Sequence, residues 1–142
     1  MPKRVKLLLI GMTAVALGIF VSLAFVGGGS AGCTTPDAIV RVMPDCNESV
    51  LGQAPIEVEV ANGYRAELTI NGVQIPTDEL QTNVGGNDIG VGITPTVYRF
   101  VPGEGKTVEQ LDPNLNCVIV SYYPVAQGIE EARDFQWCFR AA

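Results

Sequence analysis

Residues 116–140 read NCVIVSYYPVAQGIEEARDFQWCFR. Apolar side chains alternate here with period two: Val118, Val120 and Tyr122, then Phe135, Trp137 and Phe139. That spacing marks strands with one face turned inward. Taken as an antiparallel hairpin, pairing Val120 with Phe135 also pairs Val118 with Trp137. These residues then share one core face. Cys117 and Cys138 fall together on the opposite face, at one level of the ladder. Neighbouring strands hold Cα atoms within the ~7 Å that a disulfide requires, so a Cys117–Cys138 bridge is expected.

The same alternation recurs upstream. Ile56, Val58 and Val60 alternate with Glu57 and Glu59, and Ala66, Leu68 and Ile70 with Arg65, Glu67 and Thr69. Asn62-Gly63 lies between these two runs and reads as a hairpin turn, and Asn71-Gly72 marks another turn. Strands are expected near 38–43, 55–61, 64–71, 73–75, 96–101, 107–110, 116–123 and 134–140. Many short strands separated by turns, with no segment of helical length and period after residue 32, predict an all-β antiparallel sandwich over 37–142. Residues 127–133 have room for one helical turn. The glycine-rich stretch Gln81–Pro95 is expected to be a long loop, a class of segment that is often functional.

The chain has 142 residues, 47% of them apolar, and the apolar content is concentrated in one place. Leu7 to Val26 carries no charge, and twenty such residues as a helix would span roughly 30 Å, the thickness of a bilayer core. Lys3, Arg4 and Lys6 precede it, and no further Lys or Arg appears before Arg41. This asymmetry predicts a cytoplasmic tail at 1–6, a transmembrane helix at 7–26, a glycine-rich tether at 27–36 and an extracytoplasmic domain beyond it. The apolar run is longer than the ~7–15 residues of a cleaved signal, which favours an uncleaved anchor in the cell membrane. Ser30-Ala31-Gly32-Cys33 also resembles a lipoprotein signal, in which Cys33 would carry lipid. It departs from that pattern at Ser30, where leucine is usual.

The chain carries a net charge of −6. With Lys3, Arg4 and Lys6 set aside, six basic residues face all fifteen acids, so the exported part is at −9. Such a domain is a poor partner for nucleic acid and is repelled by anionic lipid. There is no histidine, which removes the commonest general base and transition-metal ligand. Ser49 and Ser121 lack a GxSxG context, and Lys106 is the sole lysine after residue 6. No catalytic residue, cofactor site or metal site is expected. Glu57/Glu59 and Glu130/Glu131 read as solvated acids. Asp78, Glu79 and Asp88 could join carbonyls around calcium, although no EF-hand spacing is present.

Four cysteines, Cys33, Cys46, Cys117 and Cys138, all follow the apolar run, in a compartment where disulfides persist. Cys33 can reach Cys46 only if residues 33–37 fold back. Otherwise Cys46 would lie near Cys117 and Cys138 and could compete for either.

Ala38-Ile39-Val40, Pro44, Val50-Leu51 and Ala54-Pro55-Ile56-Glu57-Val58 together resemble the opening of bacterial immunoglobulin-like domains. Leu111-Asp112-Pro113, Asn116 to Val120 and Phe135 to Phe139 resemble their last two strands. The periplasmic copper-resistance domain is one branch of that fold and binds copper through histidines. This chain has none, so that activity does not transfer. The chain also resembles uncharacterised single-pass membrane proteins of Gram-positive actinobacteria, a likeness that implies no activity. The expectation is a non-catalytic module that meets another envelope protein. The alternative is a small-ligand or calcium sensor using 81–95.

Overall fold

Val60 and Tyr64 are separated by one tight turn, yet they belong to different sheets. The computed structural model describes residues 32–84 and 95–142. Among these, nine strands are present: β1 Ile39–Met43, β2 Ser49–Val50, β3 Ile56–Val60, β4 Tyr64–Ile70, β5 Val73–Gln74, β6 Gln81–Val84, β7 Thr96–Phe100, β8 Leu115–Pro124 and β9 Arg133–Ala141. They form a four-stranded sheet in the order β1-β3-β7-β6 and a five-stranded sheet in the order β2-β9-β8-β4-β5. The protein is therefore all-β and sandwich-like. All neighbours are antiparallel except β2 and β9, which run parallel.

The core follows the alternation of the strands. Ile56, Val58 and Val60 from β3 meet Leu68 and Ile70 from β4, Phe100 from β7, Val118 and Val120 from β8, and Trp137 and Phe139 from β9, all buried. Val118 pairs with Trp137 and Val120 with Phe135. Phe135, expected on this core face, packs against the core and is half-buried. It lies near the start of β9, at the open end of the sandwich, and stacks on Trp137 with ring centroids 6.0 Å apart. In β1 the register shifts between Ile39 and Arg41. That bulge lets Ile39 and Val42 both face inward across an odd spacing, leaving Val40 exposed.

Several expectations are corrected. Asn62-Gly63 connects the two sheets instead of closing a hairpin. Gly63, at φ 84°, serves the sharp reversal in either role, so local sequence does not distinguish them. Asn71 and Gly72, both at positive φ, do close a hairpin, between β4 and β5. Residues 107–110 form no strand. Gly105 N–H donates to the Glu109 carboxylate, Thr107 N–H to Glu79 and Gly103 N–H to the Val108 carbonyl. The Thr107 N–H and the Val108 carbonyl are thereby occupied by groups other than a neighbouring strand. Gln81–Val84, expected as loop, is the edge strand β6, paired with β7. The remainder of that expected loop, 85–94, lies outside the described residues, as do the tail 1–6, the apolar run 7–26 and the glycines 27–31. Among the described residues no helix is long and apolar enough to cross a membrane.

Candidate functional site

The path of residues 33–38 organises the molecule. Cys33 is bonded to Cys46, with Cα atoms 5.1 Å apart. Cys46 follows the end of β1, so the chain passes Cys33 at that end, runs back to the start of β1 and reverses. The reversal is a turn in which Ile39 N–H donates to the Pro36 carbonyl at 2.8 Å. Residues 32–36, expected in the tether, thus belong to the compact unit Gly32–Ala142. The sandwich has a cysteine end, where Gly32 lies, and an opposite tyrosine end, where the Pro36 turn lies.

Cys33, Asp45 and Cys46 place three possible metal-ligand atoms within 4.8 Å of one another. The two sulfurs are consumed by their own bond. The Asp45 carboxylate accepts the N–H groups of Cys33 and Cys46 at 3.1 and 2.7 Å. The donors around this carboxylate are backbone amides, which makes it a brace for the disulfide. Cys117 and Cys138 form the second disulfide, on the outer face of β8 and β9.

At the tyrosine end a cleft of about 670 Å³ opens between the sheets. Its floor is Tyr64 from the start of β4 and Tyr122 from the end of β8, with ring centroids 6.2 Å apart and planes tilted by 54°. Tyr122 is buried and Tyr64 half-buried. Both sit on the inward face by strand alternation, at the level where the strands run out. One wall is the Pro36–Asp37–Ala38 turn. The other is the β8–β9 connection with Pro124, Gln127 and Glu131, where the N–H groups of Gln127 and Gly128 both donate to the Pro124 carbonyl. A short 3-10 turn at Ile129–Glu131 completes that connection. Arg133, first residue of β9, closes the rim. Among the described residues Asp37, Glu131 and Arg133 have no ion pair, and no hydrogen bond is made to either carboxylate. The volume is within the ~300–1,000 Å³ common for binding clefts. A second hollow of about 530 Å³, beside Ser49, Leu115 and Arg140, lies at the cysteine end.

The acids singled out in sequence are placed elsewhere. Glu57 and Glu59 are half-buried on the outer face of the first sheet, opposite Arg99 and Arg41 at 3.3 and 3.6 Å. Arg99 Nε meets Glu57 as a charge pair without an aligned hydrogen bond. The Glu79 carboxylate accepts both the N–H and the hydroxyl of Thr107. It thereby ties down the 103–110 loop. Asp88, the third residue of the calcium expectation, lies outside the described residues.

Sequence reasoning passed over Asn116, the buried polar side chain on the inner face of β8. Its Oδ1 accepts Asp112 N–H and Asn71 Nδ2, and its Nδ2 donates to the Asp112 carbonyl, each at 2.8 Å. Asn116 is in phase with Val118 and Val120, so the alternation itself was the available signal. The cleft was also passed over. Its tyrosines and prolines come from three separate segments, the Pro36 turn, β4 and β8, and only the sandwich topology joins them.

No family model and no curated protein matches this chain. Among solved structures it is similar to PcoC, a copper resistance protein from Escherichia coli, with 13% identity and a TM-score of 0.42 over 73% of this chain and 98% of that one.

Proposed function

We propose that this chain is a membrane-tethered, extracytoplasmic, immunoglobulin-like domain, serving as a non-catalytic interaction module of the cell envelope. The observation that carries the reading is the tyrosine–proline cleft, open at one end of a sandwich held by two disulfides. Disulfides persist in oxidising compartments outside the cytoplasm. The uncharged run 7–26 after three basic residues supports an anchor with its N-terminus inside. The strand order β1-β3-β7-β6 over β2-β9-β8-β4-β5 supports the immunoglobulin-like assignment, corresponding to the ABED and GFC sheets of that fold. In antibody domains the disulfide crosses between sheets. Here Cys117–Cys138 joins two neighbours within one sheet.

Gly32, the first described residue, lies at the cysteine end of the sandwich, opposite the cleft. Lipid attachment through Cys33 is the second anchoring mode, and it requires the sulfur that Cys46 holds.

The test places a photo-cross-linking residue at Gln127, on the cleft rim, or at Asn114, at the other end, in the full chain in its native cells. The expected result is a discrete adduct with an envelope protein from position 127 and none from 114. Adducts from neither position would overturn the interaction reading. Survival of the domain in spheroplasts treated with external protease would overturn the topology.

A further inference from the structure

The chemistry of the cleft narrows what it can hold. Tyr64, half-buried, offers aromatic surface at the floor and packs against the buried Tyr122, with Pro36 and Pro124 flanking. Aromatic faces attract cations, and an apolar floor accepts the hydrocarbon stem of a long basic side chain. On the rim stand two carboxylates, Asp37 and Glu131, against one guanidinium, Arg133. Among the described residues neither carboxylate is neutralised by an ion pair or engaged by a hydrogen bond. The rim is thus net acidic on a domain that is itself at −9. Both fields draw a positive group toward the cleft.

Resting on the interaction reading above, we propose that the cleft binds an extended segment of a partner protein bearing lysine or arginine. The basic stem lies on the Tyr64 side of the floor and its charge meets Asp37 and Glu131. Charge complementarity argues against a second copy of this chain as the occupant, because two domains at −9 repel.

The experiment titrates the full chain in neutral detergent, at low ionic strength, with an acetylated and amidated Ala-Lys-Pro-Lys-Ala peptide. The glutamate counterpart of that peptide and tetramethylammonium are titrated alongside. The lysine peptide should bind and the glutamate peptide should not. Asp37→Asn and Glu131→Gln should each weaken binding about threefold, the effect of one charge at ~6 Å in water. Arg133→Gln should strengthen it by a similar factor, because it removes a like charge. Tyr64→Leu keeps an apolar floor without the aromatic face and should weaken binding by about two- to fivefold. Leu115→Ser, at the other end, should leave it unchanged.

Binding of the glutamate peptide, or weakening by Arg133→Gln, would overturn the basic occupant. Tetramethylammonium binding as tightly as the lysine peptide would make this a small-amine site and overturn the peptide. Self-association lost in Tyr64→Leu would make the occupant a second copy. If the lysine peptide fails to bind while the position-127 adduct persists, the partner chemistry is wrong and the interaction module stands. If both fail, the module reading falls as well.

Discussion

Cys117 and Cys138 face each other across β8 and β9 with Cα atoms 4.1 Å apart, and their backbone polar groups point away from each other. The N–H of Cys117 donates to Asn71 Oδ1, and its carbonyl accepts Asn71 N–H. The Cys138 carbonyl accepts Asn47 N–H. This is a non-hydrogen-bonded pair, the kind of ladder position where side chains approach most closely. The disulfide therefore fastens the outer face of the hairpin without displacing the Val118–Trp137 layer beneath it.

That arrangement predicts a stability loss without a change of fold. The cysteines are separated by 21 residues. Replacing both with serine should cost roughly 3 kcal/mol through freedom regained by the unfolded chain. For a domain of this size that is a fall of about 10–20 °C in Tm. Thermal unfolding followed by circular dichroism would show it, with the far-ultraviolet spectrum at low temperature unchanged. Non-reducing peptide mapping of the native chain should recover Cys117 and Cys138 in one cross-linked peptide. Finding Cys46 joined to either of them would contradict the register.

Trp137 combines two roles that substitutions separate. It is buried in the centre of the core, and its Nε1–H donates to the Pro44 carbonyl at 2.9 Å. Trp137→Phe keeps most of the ring but leaves a buried carbonyl without its donor, a loss of about 1–3 kcal/mol. Trp137→Ala also opens a cavity and should cost about 3–5 kcal/mol. Chemical denaturation should rank the three proteins in that order. Equal midpoints for native and Trp137→Phe protein would show that the Pro44 contact contributes nothing.

The Asn116–Asn71 bond ties the β4–β5 turn to the start of β8. Asn116→Ala strands the Asp112 N–H and carbonyl as well as Asn71 Nδ2, and should destabilise by about 1–3 kcal/mol. Asn71→Gly removes the other amide while still accepting the positive φ of that position. A double-mutant cycle should return a coupling of at least about 0.5 kcal/mol, as expected for residues in one network. Strict additivity would mean that each asparagine acts alone.

Strand faces were legible wherever a strand buries one side, because burial writes a period of two into the sequence. Ile56, Val58, Val60, Val118, Val120, Trp137 and Phe139 carry that mark and are all buried. Asn116 carries the same phase and is buried with them, although its polarity concealed it. What alternation does not encode is which sheet a strand joins. The turn at Gly63 permits either outcome, and sheet membership is decided by long-range pairing of Tyr64–Ile70 with β8. The residues Gln81–Val84 contain no apolar alternation, and their strand character comes from pairing with β7. The cleft was illegible for the same reason. Tyr64 and Tyr122 are 58 positions apart in sequence and meet only because β4 and β8 are neighbours.

The Cys33–Cys46 bond decides the fate of the segment before β1. Residues 33–36 are half-buried or exposed, and Cys33, at the disulfide, is the one that packs against the hydrophobic core. Among the described residues, backbone bonds at its two ends, Cys33 N–H to Asp45 and Ile39 N–H to the Pro36 carbonyl, assist the disulfide. Cys46→Ser should therefore free the segment while the sandwich remains folded. Limited proteolysis with a protease of broad specificity should then cut between Thr34 and Asp37, a region the native protein protects. Loss of the bond should also loosen the Pro36–Asp37 wall of the cleft, so lysine-peptide binding should fall in Cys46→Ser although the substitution is at the other end of the molecule. The double variant Cys33→Ser/Cys46→Ser should behave the same way, which excludes an effect of one stray thiol. Mass spectrometry of the native chain should find Cys33 linked to Cys46. A diacylglyceryl group on Cys33 would exclude the bond, since one sulfur cannot hold both, and would replace the helical anchor with a lipid.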